Sequence, residues 1–336
     1  MFNDKVIAVT GGTGSFGKAF VRRILESYSP KKVIVFSRDE FKQYEMSRLF
    51  NDPRLRFFIG DVRDKDRLYR AFYGVDYIVH AAAFKQVVAA EYNPFEAVKT
   101  NIIGGQNVIE AAIDNKVRGV IALSTDKAAN PINLYGAAKL ASDKLFIAGN
   151  SYAGGRGSKF AVVRYGNVLG SRGSILPLFL EQKLKGELTI TEPAMTRFWI
   201  ELDKAVELVF LAFNTMHGGE LYIPKIPSLR MDKFANILAP EAKITIVGIR
   251  PGEKLHETMI PCDEARNTLE FDDHYRILPA FLWDKKSALA DGGSPVRDDF
   301  CYSSGDNPLE LEADRLLSVA VNVAKELNIP FTPPKR

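Results

Sequence analysis

Ser124-Thr125-Asp126-Lys127 and, eight residues past the lysine, Tyr135-Gly136-Ala137-Ala138-Lys139 hold the residue types in this chain best suited to chemistry. Tyr135 and Lys139 are four apart, so on a helix they share a face. A phenol beside an ammonium can accept a proton from a sugar hydroxyl during hydride transfer. Asp126 and Lys127 add a carboxylate and an amine, a second acid/base pair that simple dehydrogenation does not need. The segment points to redox chemistry coupled to elimination.

Something must hold these groups. The first half alternates short apolar runs with amphipathic stretches. Strands are predicted at Val6–Thr10, Lys32–Ser37, Leu55–Gly60, Tyr77–His80, Gly119–Ser124 and Phe160–Tyr165. Helices are predicted between them at Phe16–Ser27, Glu40–Phe50, Lys65–Phe72, Phe95–Asn115 and Leu134–Ala148. This alternation implies an α/β fold, a doubly wound parallel sheet of six or seven strands with helices on both faces. Past about residue 170 the rhythm breaks and prolines come closer together. The expected division is a dinucleotide domain over 1–170 and a smaller substrate lobe over 171–330, with some of its segments returning to the main sheet. Pro330 to Arg336 reads as a frayed tail.

The first strand runs into Thr10-Gly11-Gly12-Thr13-Gly14-Ser15-Phe16-Gly17, which satisfies G-x-G-x-x-G between a strand and a helix. Glycines there permit a tight turn and let backbone amides approach a pyrophosphate at the positive helix end. Gly11, Thr13, Gly14, Ser15, Phe16 and Gly17 are therefore expected to hold a dinucleotide. Strand two ends Ser37-Arg38-Asp39, with Lys42 one turn into the next helix. Ser37, Arg38 and Lys42 favour a 2′-phosphate and hence NADP, while Asp39 is the residue that would serve NAD. Asp61 and Val62 after strand three are placed near the adenine, and the small residues Ala81 to Ala83 after strand four would let a cofactor lie close.

Composition narrows the class. Hydrophobic residues make up 46% and charged residues 26%, ordinary for a globular protein. The net charge of +4 and the pI near 8.8 come without any basic run, so nucleic acid is not an expected partner. The two cysteines, Cys262 and Cys301, have no metal-like spacing, and no metal is expected. A reducing, cytoplasmic setting is the simplest reading of so few cysteines. No secretory signal fits the start, since a strand pattern begins almost at once, and no apolar run is long enough to span a bilayer.

The glycine loop, the Tyr-x-x-x-Lys spacing and the strand order resemble the extended short-chain dehydrogenase/reductase superfamily. Within it the chain resembles the inverting UDP-N-acetylglucosamine 4,6-dehydratases, the first enzymes of pseudaminic acid biosynthesis. The matching stretches are Thr10–Lys18, Ser37–Gln43, Phe57–Asp64, Ala90–Pro94, Ser124–Lys144, Val163–Ser174, Met195–Ile200, Ile223–Ser228 and Gly248–Met259. The resemblance implies a lyase that converts UDP-N-acetylglucosamine to UDP-2-acetamido-2,6-dideoxy-beta-L-arabino-hex-4-ulose with tightly bound NADP recycled in each turnover. Tyr135, its pKa lowered by Lys139 and the nicotinamide charge, would take the 4-hydroxyl proton, with Thr125 bonding the 4-oxygen. Lys127, made neutral by nearby positive charge, would take the C5 proton and later return one from the opposite face. Asp126 would protonate the departing 6-hydroxyl. Retaining dehydratases carry Asp-Glu at the place of Asp126-Lys127, and epimerases lack the pair, so Lys127 is the discriminating residue.

By the same resemblance, Lys85 lies near substrate or cofactor and Thr100 near the nicotinamide. Asn167 and Val168 contact the sugar nucleotide, Arg197 and Arg250 reach its pyrophosphate, and Glu253 and Asn307 its ribose or base. A homo-oligomer is implied, pairing through Phe95–Asn115 and Leu134–Ala148. Four departures from the family pattern bear on substrate choice and rate. Lys85-Gln86-Val87-Val88 stands where Lys-His-Val-Pro is usual, Phe84 where Met or Leu is, Ala138 where Thr is, and Gly305-Asp306-Asn307 where asparagines run. The alternatives are a UDP-hexosamine epimerase and a non-catalytic NADP-binding sensor.

Overall fold

The computed structural model describes residues 1–154, 157–171, 173–280 and 289–334. Arg172, inside the Val163–Ser174 stretch, and the last two residues of the expected tail lie outside the described residues.

Six parallel strands form the centre: β1 (Val6–Thr10), β2 (Lys32–Ser37), β3 (Leu55–Ile59), β4 (Tyr77–His80), β5 (Gly119–Thr125) and β6 (Lys159–Tyr165), in the order β3-β2-β1-β4-β5-β6. In β1, β2, β4, β5 and β6 nearly all Val, Ile and Phe side chains are buried on both faces, as in a sheet covered by helices on each side, whereas the edge strand β3 leaves Phe57 and Phe58 half-buried and Ile59 exposed. Helices α1 (Ser15–Ser27), α2 (Glu40–Phe50) and α3 (Lys65–Ala71) make the crossovers. Asp39 and Asp64 start α2 and α3 by accepting main-chain hydrogen bonds at 2.9 Å from Lys42 and Arg67, which satisfies otherwise unpaired amides.

The helix expected over Phe95–Asn115 is not continuous. After α4 (Val87–Tyr92), α5 (Pro94–Val98) runs into a π-turn at Lys99–Ile103 before α6 (Gly104–Asp114). The extra residue in that turn rotates Thr100 and Asn101 inward, and both are buried. Helix α7 (Leu134–Ala153) runs a turn past its expected end and packs beside α6.

The sheet continues beyond β6. After β7 (Asn167–Val168), α8 (Ile175–Lys183), β8 (Glu187–Ile190), β9 (Thr196–Ile200) and α9 (Leu202–Thr215), the chain re-enters it as β10 (Leu221–Pro224), parallel to β6. β11 (Ser228–Arg230), α10 (Met231–Leu238), β12 (Lys243–Ile246) and β13 (Thr258–Ile260) leave it again. Then β14 (Thr268–Glu270), β15 (His274–Ile277) and β16 (Ser294–Pro295) extend it with antiparallel strands, giving ten among the described residues.

The second lobe has its own core. Phe179 of α8, Trp199 of β9, Phe234 of α10 and Leu316 of α11 (Ala313–Leu327) pack together, with the Trp199 and Phe234 rings stacked at 4.6 Å. The short ladder between β13 and β17 (Tyr302–Ser303) lies against the end of β5. Just outside it, Cys262 and Cys301 form a disulfide across 39 residues. Read from sequence only as a sign of a reducing compartment, the two cysteines are thus joined. Closing a loop of that length removes about 4 kcal/mol of chain entropy from the unfolded state in the simple entropic treatment.

Candidate active site

At the carboxyl ends of β1, β2, β4 and β5 the sheet opens into a cavity of about 620 Å³, the place where doubly wound sheets bind ligands. Its floor is the glycine loop. Gly11 N donates to Phe36 O at 2.8 Å and Gly14 N to Gly11 O at 3.0 Å, so the loop folds tightly over β1 and β2. Helix α1 begins with no side-chain cap, leaving its first amides aimed at the cavity. A Cβ on Gly17 would sit 2.3 Å from Gly12 O, which fixes how closely α1 can approach the loop. These features fit a dinucleotide pyrophosphate. Gly17→Ala is expected to strip the protein of dinucleotide, since overpacking costs about 1–3 kcal/mol and falls on the loop itself. The 260 and 340 nm absorbance of the purified variant checks this.

Ser37, Arg38, Asp39 and Lys42 line the adenosine end, as do Asp61 and Val62. Asp39 is occupied: it caps α2 and pairs with Lys42 at 2.7 Å, and the Lys42 hydrogen bond holds its carboxyl below the usual range. Arg38 is largely exposed, 3.7 Å from Asp61. Ser37 is held by Gln43, whose amide donates to its hydroxyl at 3.0 Å. Ala81 and Ala83 border the middle of the cavity. Beneath them His80 meets Thr10 Oγ1 at 2.8 Å, and burial, followed by the Lys139 charge, pushes the imidazole down to about 3. Asn101 clamps the next loop, accepting from Phe84 N at 2.8 Å and donating to Phe84 O at 3.0 Å. That clamp holds Lys85 and Gln86 at the cavity, and Thr100 lines it beside them.

The chemistry-bearing residues meet where β5 ends. Thr125 ends the strand and Asp126–Ala128 form a single 3₁₀ turn, whose Lys127 amide donates to Thr125 Oγ1 at 3.4 Å. Thr125 Oγ1 also donates to Asp126 Oδ1 at 2.9 Å. Lys127 Nζ lies 3.0 Å from Asp126 Oδ1 and 3.3 Å from Asn167 Oδ1. Helix α7 is capped by Asn133, which accepts from Gly136 N at 2.7 Å. A Cβ on Gly136 would lie 2.2 Å from Lys127 O, so only glycine lets α7 lie against the turn and carry Tyr135 to Lys127. Tyr135, Lys139, Thr125, Lys127, Asn167 and Val168 all border the same cavity. Asp126 is fully buried behind them.

Two electrostatic expectations are corrected. Burial raises Tyr135 to about 12; the opposing pull comes from Lys127 and a Thr125 hydrogen bond, not from Lys139. Lys139 is itself buried, which lowers its pKa against the pull of Asp143. Lys127, expected to be neutralised by positive charge, sits between two carboxylates. Burial disfavours its ammonium, but Asp126 and Glu257, 3.5 Å away, outweigh that and raise its pKa.

Four proposed substrate contacts lie off the cavity wall. Arg197 is buried, with Nη1 donating to Thr196 O at 2.7 Å and Nε 3.8 Å from Glu257. Arg250 is exposed and pairs with Glu253 at 3.8 Å. Asn307 braces its own turn, donating to Leu309 O at 3.1 Å, and ties that turn to Ile226 O at 2.9 Å. In their place the wall is completed by Gln86, Tyr165, Ser171, Gly173, Ser174 and Ile175, of which only Gln86 was singled out from sequence, as a departure. Ala138 is buried inside the α7 packing and does not face the cavity. Asn101, Asp143, Arg164 and Glu257 were not singled out from sequence; the last three lie inside stretches that carry the family resemblance, but nothing in their local spacing marks them, and Asn101 lies outside those stretches.

A glycine-floored dinucleotide groove, a Tyr-x-x-x-Lys helix and a proton-carrying pair beside it define an extended short-chain dehydrogenase/reductase that works on nucleotide sugars. More narrowly, the chain belongs to the polysaccharide biosynthesis protein family, whose model matches residues 7–279. It is 53% identical over 327 residues to the inverting UDP-N-acetylglucosamine 4,6-dehydratase of Campylobacter jejuni, covering 95% of this chain and 98% of that one. It is also 45% identical over 285 residues to a UDP-glucose 4-epimerase of Rickettsia massiliae, covering 82% and 84%. Among solved structures it is similar to Pen from Bacillus thuringiensis, at 36% identity and TM-score 0.88 over 96% of this chain and 98% of that one. It is also similar to DesIV, a dTDP-glucose 4,6-dehydratase of Streptomyces venezuelae solved with NAD bound, at 28% identity and TM-score 0.67 over 74% and 86%. Among the described residues no helix is long and apolar enough to cross a membrane.

Proposed function

We propose that this chain is a lyase that removes water across C5 and C6 of UDP-N-acetylglucosamine and inverts C5, acting with bound NADP. The observation that carries the reading is the Asp126–Lys127 pair, 3.0 Å apart, next to Tyr135 at the cavity. The glycine loop, Ser37, Arg38 and Lys139 would hold the dinucleotide, which when bound supplies reversible hydride storage between C4 and C6.

The residues move the protons. Tyr135 takes the 4-hydroxyl proton as its phenolate, the form favoured by the Lys127 charge and by the positive charge a bound nicotinamide would add, with Thr125 at the same oxygen. The resulting ketone acidifies the C5 proton. Lys127 rests as an ammonium, so one proton first crosses the 3.0 Å to Asp126. That transfer creates an amine and a carboxylic acid together. The amine accepts the C5 proton, and the acid protonates the 6-oxygen as it leaves as water. The ammonium then returns a proton to C5, which must have turned its other face toward Nζ for inversion to result, and the proton Tyr135 took from the 4-hydroxyl restores the Lys127 ammonium for the next turnover. Lys85 and Asn167, which line the cavity, would hold the sugar nucleotide.

The test is turnover of UDP-N-acetylglucosamine in deuterated water, followed by NMR and mass spectrometry. Loss of one water, deuterium at C5 and an L-configured 4-keto sugar support the reading. An epimer without water loss would favour the second reading, a 4-epimerase, which rests on the Rickettsia likeness. Cofactor binding without turnover would favour a sensor.

NADP rather than NAD is inferred because Asp39 is tied to Lys42 while Arg38 stays exposed. Arg38→Ala is expected to weaken NADP binding roughly 10- to 100-fold, from about 1.5–3 kcal/mol for a hydrogen bond to a charged group, and to leave NAD binding unchanged. Titrating the cofactor-stripped protein with each dinucleotide separates these. We further propose a cytoplasmic homo-oligomer paired through α6 and α7, at the head of pseudaminic acid or related 6-deoxy-hexosamine synthesis.

A further inference from the structure

Glu257 is the charged group closest to the reacting pair that neither its neighbours in sequence nor the proposed mechanism explains. Its side chain is 3% exposed, with Oε1 3.5 Å from Lys127 Nζ. Two more cations face it: Arg197 Nε at 3.8 Å from Oε1 and Lys254 Nζ at 3.8 Å from Oε2. Oε2 has no hydrogen-bond partner among the described residues. A buried carboxylate with an unsatisfied oxygen is costly and is retained where its charge has a use.

Its backbone is unusually well anchored. Glu257 N donates to Ser304 Oγ at 2.9 Å, and its carbonyl accepts from Ser304 N at 2.8 Å. Ser304 Oγ meets Thr196 Oγ1 at 2.7 Å, and Thr196 Oγ1 meets His256 Nδ1 at 2.8 Å. Thus β9, the β13–β17 ladder and the 3₁₀ turn after β5 converge on one carboxylate.

We propose that Glu257 is a positioning residue that fixes both the place and the proton occupancy of Lys127, with Arg197 and Lys254 limiting its hold. This rests on the dehydratase reading and deepens it. With Asp126 alone, proton transfer from Lys127 to Asp126 would be decided by that pair. With Glu257 opposite, the ammonium is drawn away from Asp126, and the two added cations weaken the draw. Lys127 is therefore poised: charged at rest, yet able to release its proton to Asp126 when a ketone makes the C5 proton labile. The groups facing Lys127 are Asp126 on its own turn, Tyr135 from α7, Asn167 from β7, Arg197 from β9, and Lys254 and Glu257 ahead of β13.

The test reads Lys127 directly and does not require turnover. The folded protein is labelled with a trace of acetic anhydride across a pH series, and acetylation of Lys127, which only the neutral amine undergoes, is quantified by peptide mass spectrometry. In Glu257→Gln the profile is expected to move about one to three units to lower pH, as removal of an opposite charge within 4–6 Å requires. In Lys254→Met it is expected to move the other way, because Glu257 then holds Lys127 more tightly. A residue serving packing alone would lower stability and leave both profiles in place. Unmoved profiles in folded protein overturn the proposal, and if Glu257→Gln does not fold, an unmoved Lys254→Met profile does so. Turnover of the wild-type protein in deuterated water is run alongside. No water loss there would sink the dehydratase reading while leaving the Lys127 profiles to be judged separately.

Discussion

Lys127→Ala is expected to abolish water loss and solvent exchange at C5 while the dinucleotide stays bound. A positioned acid/base group contributes about 10²- to 10⁴-fold, and here one side chain serves two steps. In the proposed mechanism it sets the protonation of Asp126, whose proton reaches the leaving oxygen, and it accepts the C5 proton. Both functions end at once, so the loss should reach or exceed the upper figure. The glycine loop, Arg38 and Lys139 are untouched, so the absorbance of bound cofactor should be unchanged. The 4-hydroxyl is handled by Tyr135 and Thr125, so a slow, reversible reduction of the dinucleotide on adding substrate should survive. Normal dehydration by the variant would remove Lys127 from the mechanism. Asp126 and Glu257 are left as buried carboxylates without their shared cation, so some loss of thermal stability is also expected, and activity is to be read well below the new midpoint.

Arg164→Met should be the most destabilising single change at the site, though Arg164 has no place in the chemistry. The guanidinium is 1% exposed, 3.5 Å from Asp143 and 3.4 Å from Glu264, and it donates to Met259 O at 2.8 Å. It thereby ties β6 to α7 and to β13. Asp143 also accepts from Ser124 Oγ at 2.6 Å, and burial already pushes its carboxyl up against the pull of Arg164 and Lys139. Breaking a buried pair from one side costs about 3–5 kcal/mol, because the surviving charge is left uncompensated. A urea titration should show that loss as a lower midpoint. Replacing Asp143 by leucine in the same chain should restore part of it, since the fully buried carboxylate is then gone, although Glu264 and the buried Lys139 still lose a partner. A loss below about 1 kcal/mol would mean that Arg164 is solvated or re-paired in solution.

The sequence was legible where the signal is local. Strands β1, β2 and β4 fall at their expected bounds because each is a buried run closed by a turn. The glycine loop is legible for a related reason: its meaning lies in strand, turn and helix being consecutive. The π-turn at Lys99–Ile103 was not, since the apolar spacing of Phe95–Asn115 tolerates one extra residue without a visible break. Strands β14, β15 and β16 last two to four residues and acquire their pairing only from the sheet edge they meet. Arg197 shows the limit for side chains: an arginine that could face a phosphate and one that faces Glu257 read identically in sequence. Lys127 was identified as the discriminating group, but its charge state depends on Glu257, which lies 130 residues on.

The re-entry of the chain beside β6 bears on how such enzymes can be recombined. Leu221 and Tyr222 of β10 pair with Val162 and Val163, and β15 then pairs with β10. A cut near residue 170 would leave the inner strand β6 as a bare edge, with unpaired amides and carbonyls inviting another chain. The dinucleotide half is therefore not a portable module. A chimera that exchanges substrate preference must keep 221–224 and 268–277 with the parent of residues 1–170, and graft only the elements between and around them.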